Sequence, residues 1–107
     1  MPVPTRLTPL DMAALPLPPG RLSRKAFDTG TIELRFYAPQ GADRQVPHDR
    51  DELYFVAAGT GWFVRERERV AFAPGDVLFA AAGETHCFED FTPDFATWVL
   101  FYGPARG

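Results

Sequence analysis

From residue 22 onward the chain repeats one pattern: a short run rich in β-branched and aromatic residues, then a turn containing Gly or Pro. Residues 31–38 (TIELRFYA) alternate, with Ile32, Leu34 and Phe36 on one face and Glu33 and Arg35 on the other. That is the signature of a half-buried strand. Pro39, Gln40 and Gly41 end it. Residues 52–57 (ELYFVA) form a second run of strand formers, stopped by Gly59, Thr60 and Gly61. Segments 62–65 and 69–73 flank a charged stretch and predict a hairpin, and Pro74, Gly75 and Asp76 mark the next turn. Segments 77–81, 85–88 and 95–102 complete the set. No segment beyond residue 22 has a helical period with caps, so the pattern predicts an all-β sandwich or barrel.

Residues 1–21 read differently. The first twenty residues hold six of the eleven prolines, which resist both helix and ladder pairing. They predict an extended or irregular arm ahead of a barrel domain at 22–107. Val3, Leu7, Leu10, Met12, Leu15 and Leu17 suit an arm packed on the barrel or on a second subunit; a partly disordered tail is the other reading. A chain of 107 residues leaves room for one domain with a modest core. Its 46% hydrophobic and 14% aromatic content, including ten Phe, is not that of a disordered chain.

Composition also narrows the function classes. A net charge of -3 and a pI near 5.2 give no electrostatic reason to expect a nucleic-acid partner. No run approaches the ~20 apolar residues that a membrane-crossing helix needs. The apolar piece at 12–15 is short and runs into Pro16, Pro18 and Pro19, unlike a secretory signal. The single cysteine, Cys87, excludes an internal disulfide and a Cys-only metal site. Alternation turns it away from its neighbour His86, as a small packing residue. A cytoplasmic protein without membrane or nucleic-acid partners is the expectation. The alternating-sign stretch from Arg65 to Arg69 reads as a solvated hairpin tip.

The chemistry-bearing residues are few. His48 and His86 are the only histidines. Each lies at the mouth of a strand beside a turn, and Glu52 follows His48 by four residues. Two imidazoles and a carboxylate are a workable set for a divalent ion. They also match the two-His, one-carboxylate triad of non-haem Fe(II) oxygenases, which leaves coordination positions open. In a barrel, alternate side chains point inward, so two neighbouring strands can aim all three at one point. The same parity turns Glu52, Tyr54 and Val56 inward, pairs Val46 with His48, and pairs Phe88 with His86. Tyr54, Phe88 and Val46 are therefore the expected lining of an apolar pocket with a few polar groups, suited to a small organic ligand.

Residues 41–103 resemble a small single-domain cupin, a cupin_2-like conserved barrel. The first motif of that family appears as Gly41, His48, three residues, Glu52, six residues, Gly59. The second appears as Gly75, Gly83, His86 and Asp90 in register, with Pro74-Gly75-Asp76-Val77 ahead of the histidine. Three positions depart: Val46 replaces the first His of a His-x-His pair, Ala81 replaces a Pro, and Gly41 is one residue out of the strict spacing. The resemblance implies a double-stranded β-helix (jelly roll), pairing into a homodimer, and a metal (Fe, Mn, Ni or Zn) on His48, Glu52 and His86. Where the family commonly uses three His and one Glu, this chain offers two His, with water or substrate in the remaining position. Regular alternation turns Gln45 away from that vacancy. A metal-dependent oxygenase or isomerase is one implied function, and a non-catalytic binding or sensing module is the other.

Overall fold

The computed structural model describes residues 3–103; Met1, Pro2 and residues 104–107 lie outside it, and with them the two ends of the expected arm and barrel. A five-residue helix α1 (Pro9–Ala13) precedes eight strands: β1 (Arg24–Asp28), β2 (Ile32–Tyr37), β3 (Asp51–Ala58), β4 (Gly61–Arg65), β5 (Glu68–Phe72), β6 (Val77–Ala80), β7 (His86–Glu89) and β8 (Ala96–Tyr102). They form a five-stranded antiparallel sheet in the order β1-β2-β8-β3-β6 and a three-stranded sheet in the order β5-β4-β7. This is the all-β architecture that the turn-punctuated strands predict, in the jelly-roll form that the resemblance implies.

The two sheets meet through inward-facing aromatics. Phe88 is the hub: its ring lies 5.0 Å from Tyr54, 5.0 Å from Phe63, 5.6 Å from Phe72 and 4.8 Å from Phe95. All five are at most 3% exposed. A fully buried Phe contributes roughly 2–3 kcal/mol, so this cluster can hold the sheets together in a domain without a disulfide. The expected parity holds on β3, where Glu52, Tyr54 and Val56 are buried. On β8 every second residue, Thr97, Val99 and Phe101, turns in. Gly59 ends β3 with φ +83°, and a Cβ there would sit 2.5 Å from the Phe95 Cα. Only glycine lets the chain turn there under the 92–95 loop.

Two local features depart from the sequence reading. The arm is not irregular throughout: Thr8 and Asp11 form a reciprocal capping box, and Pro9 opens the helix. Pro is tolerated in a first helical turn because no intrahelical bond needs its missing N–H. Met12, 1% exposed, anchors that turn. Strand β1 carries Arg24, Lys25 and Asp28 and shows no alternation. It is held by pairing with β2, with an irregular register between Lys25 and Phe27. No helix among the described residues is long and apolar enough to cross a membrane.

Candidate metal centre

His48, Glu52 and His86 converge. Each offers a ligand atom, and the three atoms lie within 4.8 Å of one another. Glu52 comes from the start of β3 and His86 from the start of β7, both with side chains 1% exposed. His48 comes from the loop between β2 and β3, its side chain 36% exposed toward the barrel mouth. The Phe101 ring meets the His48 ring edge-on at 4.9 Å. The backbone N–H of Gly83 donates to the His48 carbonyl at 2.8 Å, tying that loop to the turn before β7.

The carboxylate bridges the imidazoles. Glu52 Oε1 is 2.8 Å from His48 Nδ1, and Glu52 Oε2 is 2.8 Å from His86 Nε2. Yet His48 Nδ1, Glu52 Oε1 and His86 Nε2 are buried without a hydrogen-bond partner that satisfies direction as well as distance. Buried polar atoms are normally partnered, and three orphans aimed at one point fit a shared cation. The surroundings fit it too. His86 Nδ1 lies 2.9 Å from the Glu84 carbonyl; donating there fixes the tautomer that leaves Nε2 a lone pair, as in histidines that ligate metals. The Glu84 carboxylate accepts from Arg65 at 2.8 Å and from the Ala81 N–H at 2.7 Å, which holds the turn that supplies this carbonyl.

Tyr54, fully buried, donates its hydroxyl to Glu52 Oε2 at 3.1 Å and lies 3.4 Å from Gln45 Oε1. Burial, reinforced by the Glu52 charge, pushes this hydroxyl well above its ordinary range, so it remains a donor at neutral pH. Tyr54 and Phe88, both expected to line the pocket, pack against each other in the core and not along the cavity. Val46 is 66% exposed and does not line the cavity. Residues 43–48 are not a strand, so alternation does not govern them, and Gln45, expected to turn away, lines the cavity instead.

Asp43 enforces that turn. Its carboxylate accepts from the Tyr37 hydroxyl, from Gln45 backbone N–H and Nε2, and from the Phe88 backbone N–H at 2.8 Å. Sequence reading missed Asp43, Gln45 and Glu84. Two of their contacts are local enough to be anticipated: Asp43 bonds the backbone two residues on and Glu84 the backbone three residues back. Asp51 accepts from the Ala82 N–H at 2.9 Å and so bridges β3 to the turn before β7. The charged hairpin is exposed at its tip, but Arg65 reaches Glu84, and Arg69 reaches Glu89 and Asp90.

Electrostatics give the metal-free cluster a pH signature. Burial works to raise the Glu52 carboxyl, and the two imidazoles outweigh it, leaving a net lowering from 4.5. Burial works to lower His86, and the Glu52 carboxylate outweighs it, leaving a net rise from 6.5. A lowered acid stabilises the fold above its unfolded value and loses that contribution as pH falls through the folded one. A raised base stabilises below its unfolded value and loses that contribution as pH rises through the folded one. The cluster of the chelated protein therefore contributes in full between 4.5 and 6.5 and less on either side. Added divalent metal reverses the alkaline limb, because the ion competes with protons for the imidazoles. Thermal melts across the acid-to-neutral range, with and without chelator, read both; identical profiles would count against metal at this cluster.

A cavity of about 330 Å³ adjoins the cluster, with His48, Gln45, Tyr37, Val99 and Phe101 among its walls. No protein-family model matches the chain. An uncharacterized protein of Streptomyces coelicolor is 36% identical over 79 residues, 74% of this chain and 66% of that protein, so the chain's match spans just under two thirds of its length. Solved structures agree on the architecture. A cupin 2 conserved barrel domain protein from Salinispora arenicola superposes with a TM-score of 0.69 at 20% identity, covering 94% of this chain and 90% of that one. A cupin superfamily protein from Desulfitobacterium hafniense gives 0.67 at 16%, covering 94% of each. An RmlC-like cupin with a double-stranded β-helix fold from Methanocaldococcus jannaschii gives 0.64 at 12%, covering 75% and 77%. At these identities the likeness is one of fold: the chain is a small cupin-like barrel.

Proposed function

We propose that this cupin-fold chain binds a divalent metal ion through His48, Glu52 and His86 and presents it to a small organic ligand in the adjoining cavity. The observation that carries this reading is the set of three buried, unpartnered ligand atoms converging on one point, with His86 oriented by the Glu84 carbonyl. A mixed nitrogen and oxygen donor set suits Fe, Mn, Ni or Zn. Three protein ligands leave positions for solvent or ligand. A bound ion would supply Lewis-acid polarisation of a coordinated ligand, the chemistry that an oxygenase or isomerase would use. The chain's own part is to hold the one anionic ligand dry, to keep His48 at the mouth, and to offer the Tyr54 hydroxyl as a hydrogen-bond donor to Glu52.

A non-catalytic binding or sensing module is the second reading. It is favoured by the state of the cluster: Tyr54 stays protonated and the Glu52 carboxylate faces both imidazoles at 2.8 Å, placed as a metal ligand and not as a base. Protein purified without chelator is expected to contain near-stoichiometric metal by elemental analysis, and His86→Ala to lose it. Metal-free native protein would overturn the proposal. Turnover of a small-molecule panel that requires the metal favours the enzyme; ligand binding without turnover favours the module.

A further inference from the structure

We propose that the cavity beside the cluster selects small organic anions, with the Arg21 guanidinium as the group that receives the ligand's carboxylate. The inference rests on the reading above that this cavity is the ligand site, and names the class of ligand it takes. Three arginines line the cavity, and their engagement differs. Arg35 is used up: Nε donates to Ser23 Oγ at 2.6 Å, Nη2 to the Ser23 carbonyl at 3.0 Å and Nη1 to Glu33 at 2.8 Å. Arg50 donates to the Gly103 and Thr31 carbonyls, each at 3.1 Å, and faces the same Glu33 carboxylate at 3.7 Å. These two are scaffolding that pins the barrel rim. Arg21 is exposed, and among the described residues its guanidinium has neither a hydrogen-bond nor an ion-pair partner; only its backbone is held, by the Pro18 carbonyl at 3.1 Å.

The charge balance points the same way. Against Arg21, Arg35 and Arg50 the cavity wall sets Glu33 and Asp49, so its charged lining is net positive, while the whole chain carries -3. A cationic recess on an acidic protein concentrates anions locally. A guanidinium with its fork free is the group best matched to a carboxylate. Val99 and Phe101 supply an apolar wall. About 330 Å³ is at the low end of small-molecule sites, which span roughly 300–1,000 Å³. The ligand class is thus a compact carboxylate with an apolar body.

Benzoate and benzamide make the test pair, since they share shape and differ in charge. Calorimetric titration of the native protein is expected to show benzoate binding about tenfold or more tightly than benzamide. Arg21→Gln is expected to erase that ratio, and Arg21→Lys to keep part of it, because the charge survives without the fork. Arg21 is exposed, so unchanged melting of the variants confirms that they fold. Equal affinities in the native protein overturn the inference, as does a ratio undiminished in Arg21→Gln, which would assign the carboxylate to another group. Elemental analysis of the same samples keeps the two readings apart: absent metal removes the metal proposal, while the benzoate ratio and its dependence on Arg21 still decide the anion site.

Discussion

Glu52→Gln is expected to remove metal from the protein while leaving it folded. The replacement keeps the shape of a side chain that is 1% exposed and deletes the only negative charge among the three proposed ligands. Gln turns an NH₂ toward one imidazole, where a ligand atom is required. Loss of partners that merely orient a metal ligand lowers affinity by about 10–100-fold, and loss of the ligand itself should exceed that. The metal-free chain should tolerate the change. Without the carboxylate beside it His86 is buried neutral, a form that burial favours, and its Nδ1 contact to the Glu84 carbonyl is untouched. Glu52→Ala is the harsher variant: it leaves a void and leaves the Tyr54 hydroxyl only its longer bond to Gln45, a loss of roughly 2–3 kcal/mol. Metal at a hundred times its Kd stabilises a binding-competent fold by about 2.7 kcal/mol. Melts of the native protein should therefore rise when the retained ion is added back, and melts of Glu52→Gln should not. An equal rise in both would remove Glu52 from the site.

The part of this arrangement legible in the sequence follows from period and spacing. Alternation along β3 places Glu52, Tyr54 and Val56 inside, as they are. The turn residues at Gly59 and Gly75, both at positive φ, fall where the strands end. Two ordered motifs bring His48, Glu52 and His86 together at the barrel mouth, although not from neighbouring strands: β3 and β7 belong to different sheets and His48 to a loop. What alternation could not place is the segment without a strand. Parity with His48 assigns Val46 to the pocket, but residues 43–48 follow no ladder, and Gln45 lines the cavity instead. The helix in the arm was hidden by prolines that elsewhere forbid helices, although Pro9 sits at a helix start, where one is tolerated. The role of Arg21 was illegible for a different reason. Its availability depends on Arg35 and Arg50 being engaged by Ser23, Glu33, Thr31 and Gly103, pairings that only the closed barrel creates.

Asp43 is the clearest case of such long-range dependence, and Asp43→Ala is expected to damage both the fold and the metal site. One carboxylate satisfies the Tyr37 hydroxyl on β2, the Gln45 backbone and amide in the loop, and the Phe88 N–H on β7, 45 residues away. Burial pushes the Tyr37 hydroxyl far above its ordinary range and Asp43 adds to the rise, so this phenol stays a donor and needs an acceptor. Alanine strands that donor and the Phe88 N–H on the inner side of the barrel. Each unsatisfied buried group costs about 1–3 kcal/mol. A total near 3 kcal/mol is a large share of the roughly 5–15 kcal/mol that holds a domain folded, and lowers the melting temperature by on the order of 10 °C. The same loop delivers His48, so metal affinity should fall by about 10–100-fold, as when a partner that orients a ligand is lost. Asp43→Asn, which retains one acceptor oxygen, should lose less of both. Melting and metal titration on the three proteins separate the two effects. If Asp43→Ala melts early yet binds metal as tightly as the native chain, His48 is held by its carbonyl bond to Gly83 and not by the Asp43 tie, and the loop then acts as two independently anchored halves.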